Sequence, residues 1–217
     1  MSAILTYKLV PPRKTSIGKS PAIVLLHGRG SDEDDLLGLS RYLDDRLLIA
    51  SVRAPLEFEF GYGYTWFDLH EDGTADQKQY AESYARLVEF LDHLLKTQPV
   101  DPNRLFLCGF SMGTIMSYAI ALTRPELIAG VIAYSGFIRE LSTVQFSWDK
   151  IKEKPYFISH GLHDQVIPVG RARTSEQLLV KAGAIVEYHE YPMAHEINSQ
   201  SLNDSSRWLT SRLEVKT

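Results

Sequence analysis

A chain of 217 residues with 44% hydrophobic and 23% charged residues can bury one sizeable core unaided. It is neither polar enough for disorder nor apolar enough for a membrane protein. Its net charge of −4 excludes the basic face with which nucleic-acid binders gain from counterion release, and its one cysteine, Cys108, excludes an internal disulfide and a cysteine metal cluster.

Ile4 to Val10 alternates loosely between apolar and polar residues and is expected as an edge strand, with loop at Pro11–Lys14 and Gly18–Pro21. The first residues carry no basic start, long apolar stretch or cleavage site. No apolar run nears the roughly 18 residues of a spanning helix, so a cytoplasmic protein without stable membrane insertion is expected. Ala22–Leu26 is a continuous apolar run, as expected of a strand buried on both faces. It leads into His27-Gly28-Arg29-Gly30, whose glycines leave backbone N–H groups bare for a developing negative charge; His27 is expected to brace this loop. Asp32–Asp35 places acids in the first turn of a helix expected to reach about Asp44, and Leu47–Val52 is the next strand. Phe58–Asp68 is dense in aromatics and predicts an irregular loop, with Trp66 and Phe67 as candidate lining of a substrate pocket. Apolar residues recur at helical spacing from Gln77 to Lys96, with Thr74 or Asp76 able to cap that helix.

Arg104–Cys108 then runs as a strand into Gly109-Phe110-Ser111-Met112-Gly113, a G-x-S-x-G pattern followed by the apolar segment Thr114–Leu122. Strand, sharp turn and helix in that order push a serine hydroxyl out of a sheet, and the glycines are needed because side chains there collide with neighbouring backbone. Ser111 is the candidate nucleophile. Cys108, in the strand before it, reads as a buried small hydrophobe.

Beyond the turn at Arg124-Pro125, further strands are expected at Leu127–Tyr134, Lys154–Ser159 and Ala184–Tyr191. Helices are expected at about Arg171–Ala182 and at the C-terminal end, and Phe137–Lys154 is a polar excursion too small for a lid domain. This alternation predicts one α/β domain over residues 1–217, a doubly wound, mainly parallel sheet with helices on both faces. Functional residues in such a sheet belong on loops at the carboxyl ends of strands.

A serine is a poor nucleophile without an adjacent base, and the base needs an acid to fix its tautomer. Ser111, Asp164 and His195 stand in a chain order known for that triad, each after a separate predicted strand. The N–H groups of Arg29 and Met112 are the candidate oxyanion donors. His160, His163 and His189 read as packing or solvated side chains, and neither a metal nor a cofactor is expected.

His27-Gly28-Arg29-Gly30, Trp66-Phe67-Asp68, the Ser111 pattern, His160-Gly161-Leu162-His163-Asp164-Gln165-Val166-Ile167-Pro168 and Ala194-His195-Glu196-Ile197 together resemble the phospholipase/carboxylesterase family of α/β-hydrolases. The resemblance covers residues 21 to 212. It implies an α/β-hydrolase fold without a large lid, Asp164 as triad acid, His195 as base, and a serine carboxylesterase working through an acyl-serine. Acyl-protein thioesterase or lysophospholipase activity is the nearest alternative, and a silent small-molecule receptor is the alternative outside enzymes. The chain departs from the family at Met112-Gly113-Thr114, where thioesterases carry Gln and two glycines, and at Ala194, where Gly is usual. The expected partner is a small-molecule ester; a homodimer is left open.

Overall fold

The computed structural model describes residues 4–14, 18–59, 61–140, 142 and 144–214. Its strands are β1 (Tyr7–Val10), β2 (Ser20–Leu26), β3 (Leu48–Val52), the short pair β4 (Leu56–Glu57) and β5 (Tyr64–Thr65), β6 (Val100–Phe110), β7 (Gly130–Tyr134), β8 (Pro155–Gly161) and β9 (Ile185–Tyr191). Its α-helices are α1 (Gln77–Thr97), α2 (Met112–Thr123), α3 (Gly170–Lys181) and α4 (Ser199–Leu213). The main sheet runs β1-β3-β2-β6-β7-β8-β9. Every pairing in it is parallel except that of β1, which lies antiparallel on β3 at the edge.

Each residue of β2, β3 and β7 is buried, which is why these runs are mostly apolar rather than alternating. Alternate side chains feed two cores. Val24, Leu26, Leu105, Leu107, Val131 and Ala133 join the core under α1 and α2, where Leu87, Leu91 and Tyr118 are buried. Ile23, Leu25, Phe106, Cys108, Ile132 and Phe157 point the other way, onto Trp208, Leu209 and Leu213 of α4. A register slip of one residue would exchange the two sets, so burial on both faces pins the sheet. Helices thus cover both faces, and the fold is an α/β-hydrolase fold with a mostly parallel sheet. Burial pushes the Cys108 thiol up to about 12, which keeps it an uncharged hydrophobe.

The helix expected from Asp32 to about Asp44 is instead a 3-10 segment, Leu36–Tyr42. The acids meant for its first turn are engaged elsewhere: Glu33 receives Arg53 through bonds of 2.5 and 2.7 Å, and Asp34 receives Lys8 at 2.6 Å. These pairs tie the segment to the β1 and β3 edge instead of capping an α-helix. The excursion from Phe137 contains only a 3-10 turn, Trp148–Lys150, among its described residues, with positions 141 and 143 outside them. Among the described residues no helix is long and apolar enough to cross a membrane.

Candidate active site

Parallel strands deliver their following loops to one edge of the sheet, so the residues after β2, β6, β8 and β9 gather there. Ser111 follows β6 with φ 54° and ψ −115°, a conformation that L-residues rarely hold. The flanking glycines make it attainable. A Cβ on Gly109 would stand 2.4 Å from the Gly113 carbonyl carbon, and one on Gly113 would stand 1.9 Å from Leu26 O, so β6, α2 and β2 approach too closely for any side chain. Ser111 O accepts from Thr114 N at 3.0 Å, and Thr114 Oγ1 donates to Gly109 O or Tyr134 O, each 2.7 Å away, which locks the turn from beneath.

Asp164 lies in the loop after β8 with its side chain fully buried. One carboxylate oxygen accepts from Val166 N at 2.9 Å and Ile167 N at 2.8 Å; the other accepts from His195 Nδ1 at 2.7 Å. The backbone bonds hold the carboxylate in place, and the Nδ1–H bond leaves Nε2 of His195 as the bare nitrogen. Gly161 lets the two loops meet, because a Cβ there would stand 2.2 Å from Ala194 O. Leu162 N and His163 N donate to Tyr191 O and Met193 O at 2.8 and 3.0 Å, pinning the acid loop to the base loop. The His195 ring also rests on Phe110, centroids 4.9 Å apart.

His160 completes the support. Its Nε2–H donates to Ile167 O at 2.7 Å and lies 3.3 Å from the same Asp164 oxygen that receives His195. Burial holds its pKa below the ordinary 6.5, so it stays a neutral donor behind the acid. His163 and His189 are elsewhere: His189 bonds Glu187 at 3.0 Å. Among the described residues no group of three His, Cys, Asp or Glu side chains is arranged to hold a metal ion.

Across the cavity lies the loop after β2. The His27 ring is buried and bridges the loop, with Nδ1–H donating to Gly28 O at 2.6 Å while Nε2 accepts from Ala54 N at 3.0 Å. That pair of bonds requires the neutral ring, and burial pushes its pKa down accordingly. The small β4–β5 hairpin clamps the same loop: Gly30 N donates to Tyr64 O at 2.8 Å and Tyr64 N to Ser31 O at 2.7 Å. The N–H groups of Arg29 and Met112 donate to no protein acceptor among the described residues, and both residues border the cavity that Ser111 and His195 share.

This cavity has a volume of about 480 Å³. Phe67 borders it, but Trp66 does not: Trp66 is fully buried, and its indole N–H donates to His27 O at 2.9 Å. Trp66 is therefore packing, since an indole filling the space under the hairpin cannot also face a substrate. Of the Phe58–Asp68 stretch, Phe60 lies outside the described residues. The cavity wall also includes residues not singled out from sequence as site candidates: Phe110, Ile115 and Phe137, and the two arginines Arg139 and Arg171. Each is an unremarkable residue of a helix, a strand end or a polar loop, so no sequence signal marked it. Ser111 and His195 line one cavity, but no hydrogen bond joins their side chains among the described residues; such bonds are often long before substrate binds.

Known proteins share this fold. The Bacillus cereus carboxylesterase structure superposes with a TM-score of 0.85 at 23% identity, covering 97% of this chain and 96% of that one. Esterase PE8 superposes at 0.83 with 26% identity, covering 97% and 100%. By sequence, a probable carboxylesterase SOBER1-like protein of Arabidopsis thaliana is 28% identical over 157 residues, 69% of this chain and 60% of that protein's length. Acyl-protein thioesterase 1 of Debaryomyces hansenii is 29% identical over 157 residues, 69% and 67%. A single family description matches residues 13–213, from before β2 to the end of α4, and by that match the chain belongs to the phospholipase/carboxylesterase family.

Proposed function

We propose that the protein is a serine hydrolase of carboxylic esters. The observation that carries this reading is the Asp164–His195 bond of 2.7 Å at the same cavity as a strained Ser111 and two uncommitted backbone N–H groups. Ser111 Oγ attacks the ester carbonyl while His195 Nε2 takes its proton, and Asp164 stabilises the imidazolium through Nδ1–H. The negative charge that develops on the carbonyl oxygen is met by the N–H groups of Arg29 and Met112, which no acceptor among the described residues claims. The imidazolium then protonates the departing alcohol. Water, deprotonated by His195, attacks the acyl-serine, and the acid leaves with Ser111 restored.

The same steps serve a thioester, since only the leaving atom changes, and similarity to proteins named acyl-protein thioesterase 1 supports that second reading. Wild type and Ser111→Ala would be compared on p-nitrophenyl esters from acetate to palmitate and on the matching thioesters, with a fluorophosphonate label. Ser111→Ala should lose the label and about 10⁴- to 10⁶-fold in kcat. An alanine variant that still hydrolyses or labels like wild type overturns the assignment, and the ester-to-thioester rate ratio decides between the two readings.

A further inference from the structure

The cavity wall carries positive charge that the reaction described above does not use. Arg139 and Arg171 both border the cavity, and both guanidinium groups stand on one ring, Phe137, at 5.1 and 4.5 Å from its centroid. Neither makes an ion pair with a carboxylate among the described residues. Among the described residues, the contacts that Arg139 makes with protein acceptors are long bonds from its two terminal nitrogens to Gly73 O, at 3.4 and 3.3 Å, and its buried Nε has no partner there. Of the residues lining the cavity, Arg29, Arg139 and Arg171 are basic and none is acidic. In a chain of net charge −4, this concentrates positive potential where a substrate binds.

A half-buried guanidinium beside a second one, with no counter-charge, is an unfavourable arrangement to keep: burial first, and then repulsion from Arg171, lower the proton affinity of Arg139. An anion seated between the two groups relieves both costs at once. Planar guanidinium forks match a two-oxygen acceptor, and the apolar remainder of the wall, such as Ile115 and Phe67, suits a short carbon chain leading to it.

We propose that Arg139 and Arg171 form a carboxylate-binding subsite, and that the favoured substrates are esters carrying an ionised carboxylate a few bonds from the scissile carbonyl. This rests on the ester-hydrolase reading above and names the substrate class for that site. The carboxylate can belong to the acyl half or to the leaving group, and the two are separable.

The test compares kcat/KM within two matched pairs. With the charge on the acyl side, these are p-nitrophenyl hydrogen glutarate and p-nitrophenyl pentanoate; with the charge on the leaving group, 4-carboxyphenyl pentanoate and phenyl pentanoate. The charged member of at least one pair should be favoured by about 10- to 100-fold. That preference should fall towards unity in R139Q and in R171Q, and should shrink as salt is raised from 20 to about 500 mM. Arg171 is exposed, so R171Q keeps the test available if R139Q fails to fold. Calorimetric titration of the wild-type protein with glutarate gives a readout independent of turnover, with affinity expected to drop at least about tenfold in R171Q. Turnover of neutral esters without preference for either charged ester overturns the subsite and leaves the hydrolase standing. Glutarate binding that R171Q abolishes, with no ester turned over, supports the subsite and overturns the hydrolase. Absence of both overturns both.

Discussion

Ser111 sits at φ 54°, ψ −115°, where a side chain costs on the order of 1–3 kcal/mol, and the cost is held in place by packing on both sides. Gly113 presses against Leu26 O and Gly136 against Ser111 O, so the turn cannot relax without separating β2, β6 and β7. A comparison of two variants that both lack the hydroxyl isolates the strain. Ser111→Gly should be more stable than Ser111→Ala by about 1 kcal/mol, because glycine relieves the positive φ and returns only part of that gain as unfolded-state entropy. The urea midpoints of the two, at equal slope, are the measurement; an equal or lower midpoint for Ser111→Gly shows that the turn is not strained. Sequence spelled out this site at the residues whose chemistry is rare, Ser111, Asp164 and His195, and missed those whose chemistry is ordinary. Arg139 looks like any loop arginine until the fold sets it on the same ring, Phe137, as Arg171.

At the scale of the element, α1 shows how local signals set boundaries that tertiary packing then uses. Asp76 caps it, one carboxylate oxygen accepting from Lys78 N and Gln79 N at 3.0 Å each. Of the apolar stripe read from Tyr80, Tyr84, Leu87, Val88, Leu91 and Leu95, Tyr80, Leu87 and Leu91 are buried and the other three are half-buried against the same core. Replacing Asp76 by Ala should cost about 1 kcal/mol, read as a lower urea midpoint at equal slope. An unchanged midpoint would mean that packing alone holds the first turn. The 36–42 segment is the counterexample, where tertiary ion pairs took the acids that local rules assign to a helix start.

Across the whole molecule, burial of two histidines links stability to pH. His27 and His160 both have pKa values held below 6.5 by burial, His27 on the oxyanion side and His160 behind the acid. In the unfolded chain each takes up a proton near 6.5, while in the folded chain each stays neutral to a lower pH. Between those limits the unfolded state binds more protons, so stability falls as pH drops, by about 1.4 kcal/mol per unit for each group. The paired carboxylates act in a separate, lower window: Asp44, held at about 2 chiefly by its bond from Arg46, contributes fully above its ordinary 3.8 and loses that contribution only below it. Urea midpoints should therefore already decline between pH 6.5 and 5. A flat midpoint over that range would show that the two rings titrate normally.

Apolar runs too short and too continuous for anything but buried strands, a helical stripe, and glycines framing a serine were enough by themselves to determine the layered α/β architecture and to single out Ser111, whereas Asp164 and His195 were reached through chain order and the family resemblance. The runs, the stripe and the glycines are local patterns, and burial or backbone strain forces them on any sequence that adopts this fold. Tertiary structure alone decided what surrounds them. It placed Trp66 behind the cavity rather than in it, set His160 against the acid, and drew Arg139 and Arg171 onto one ring. Those relations are distances between residues far apart in the chain, fixed only when sheet order brings the loops after separate strands to one edge.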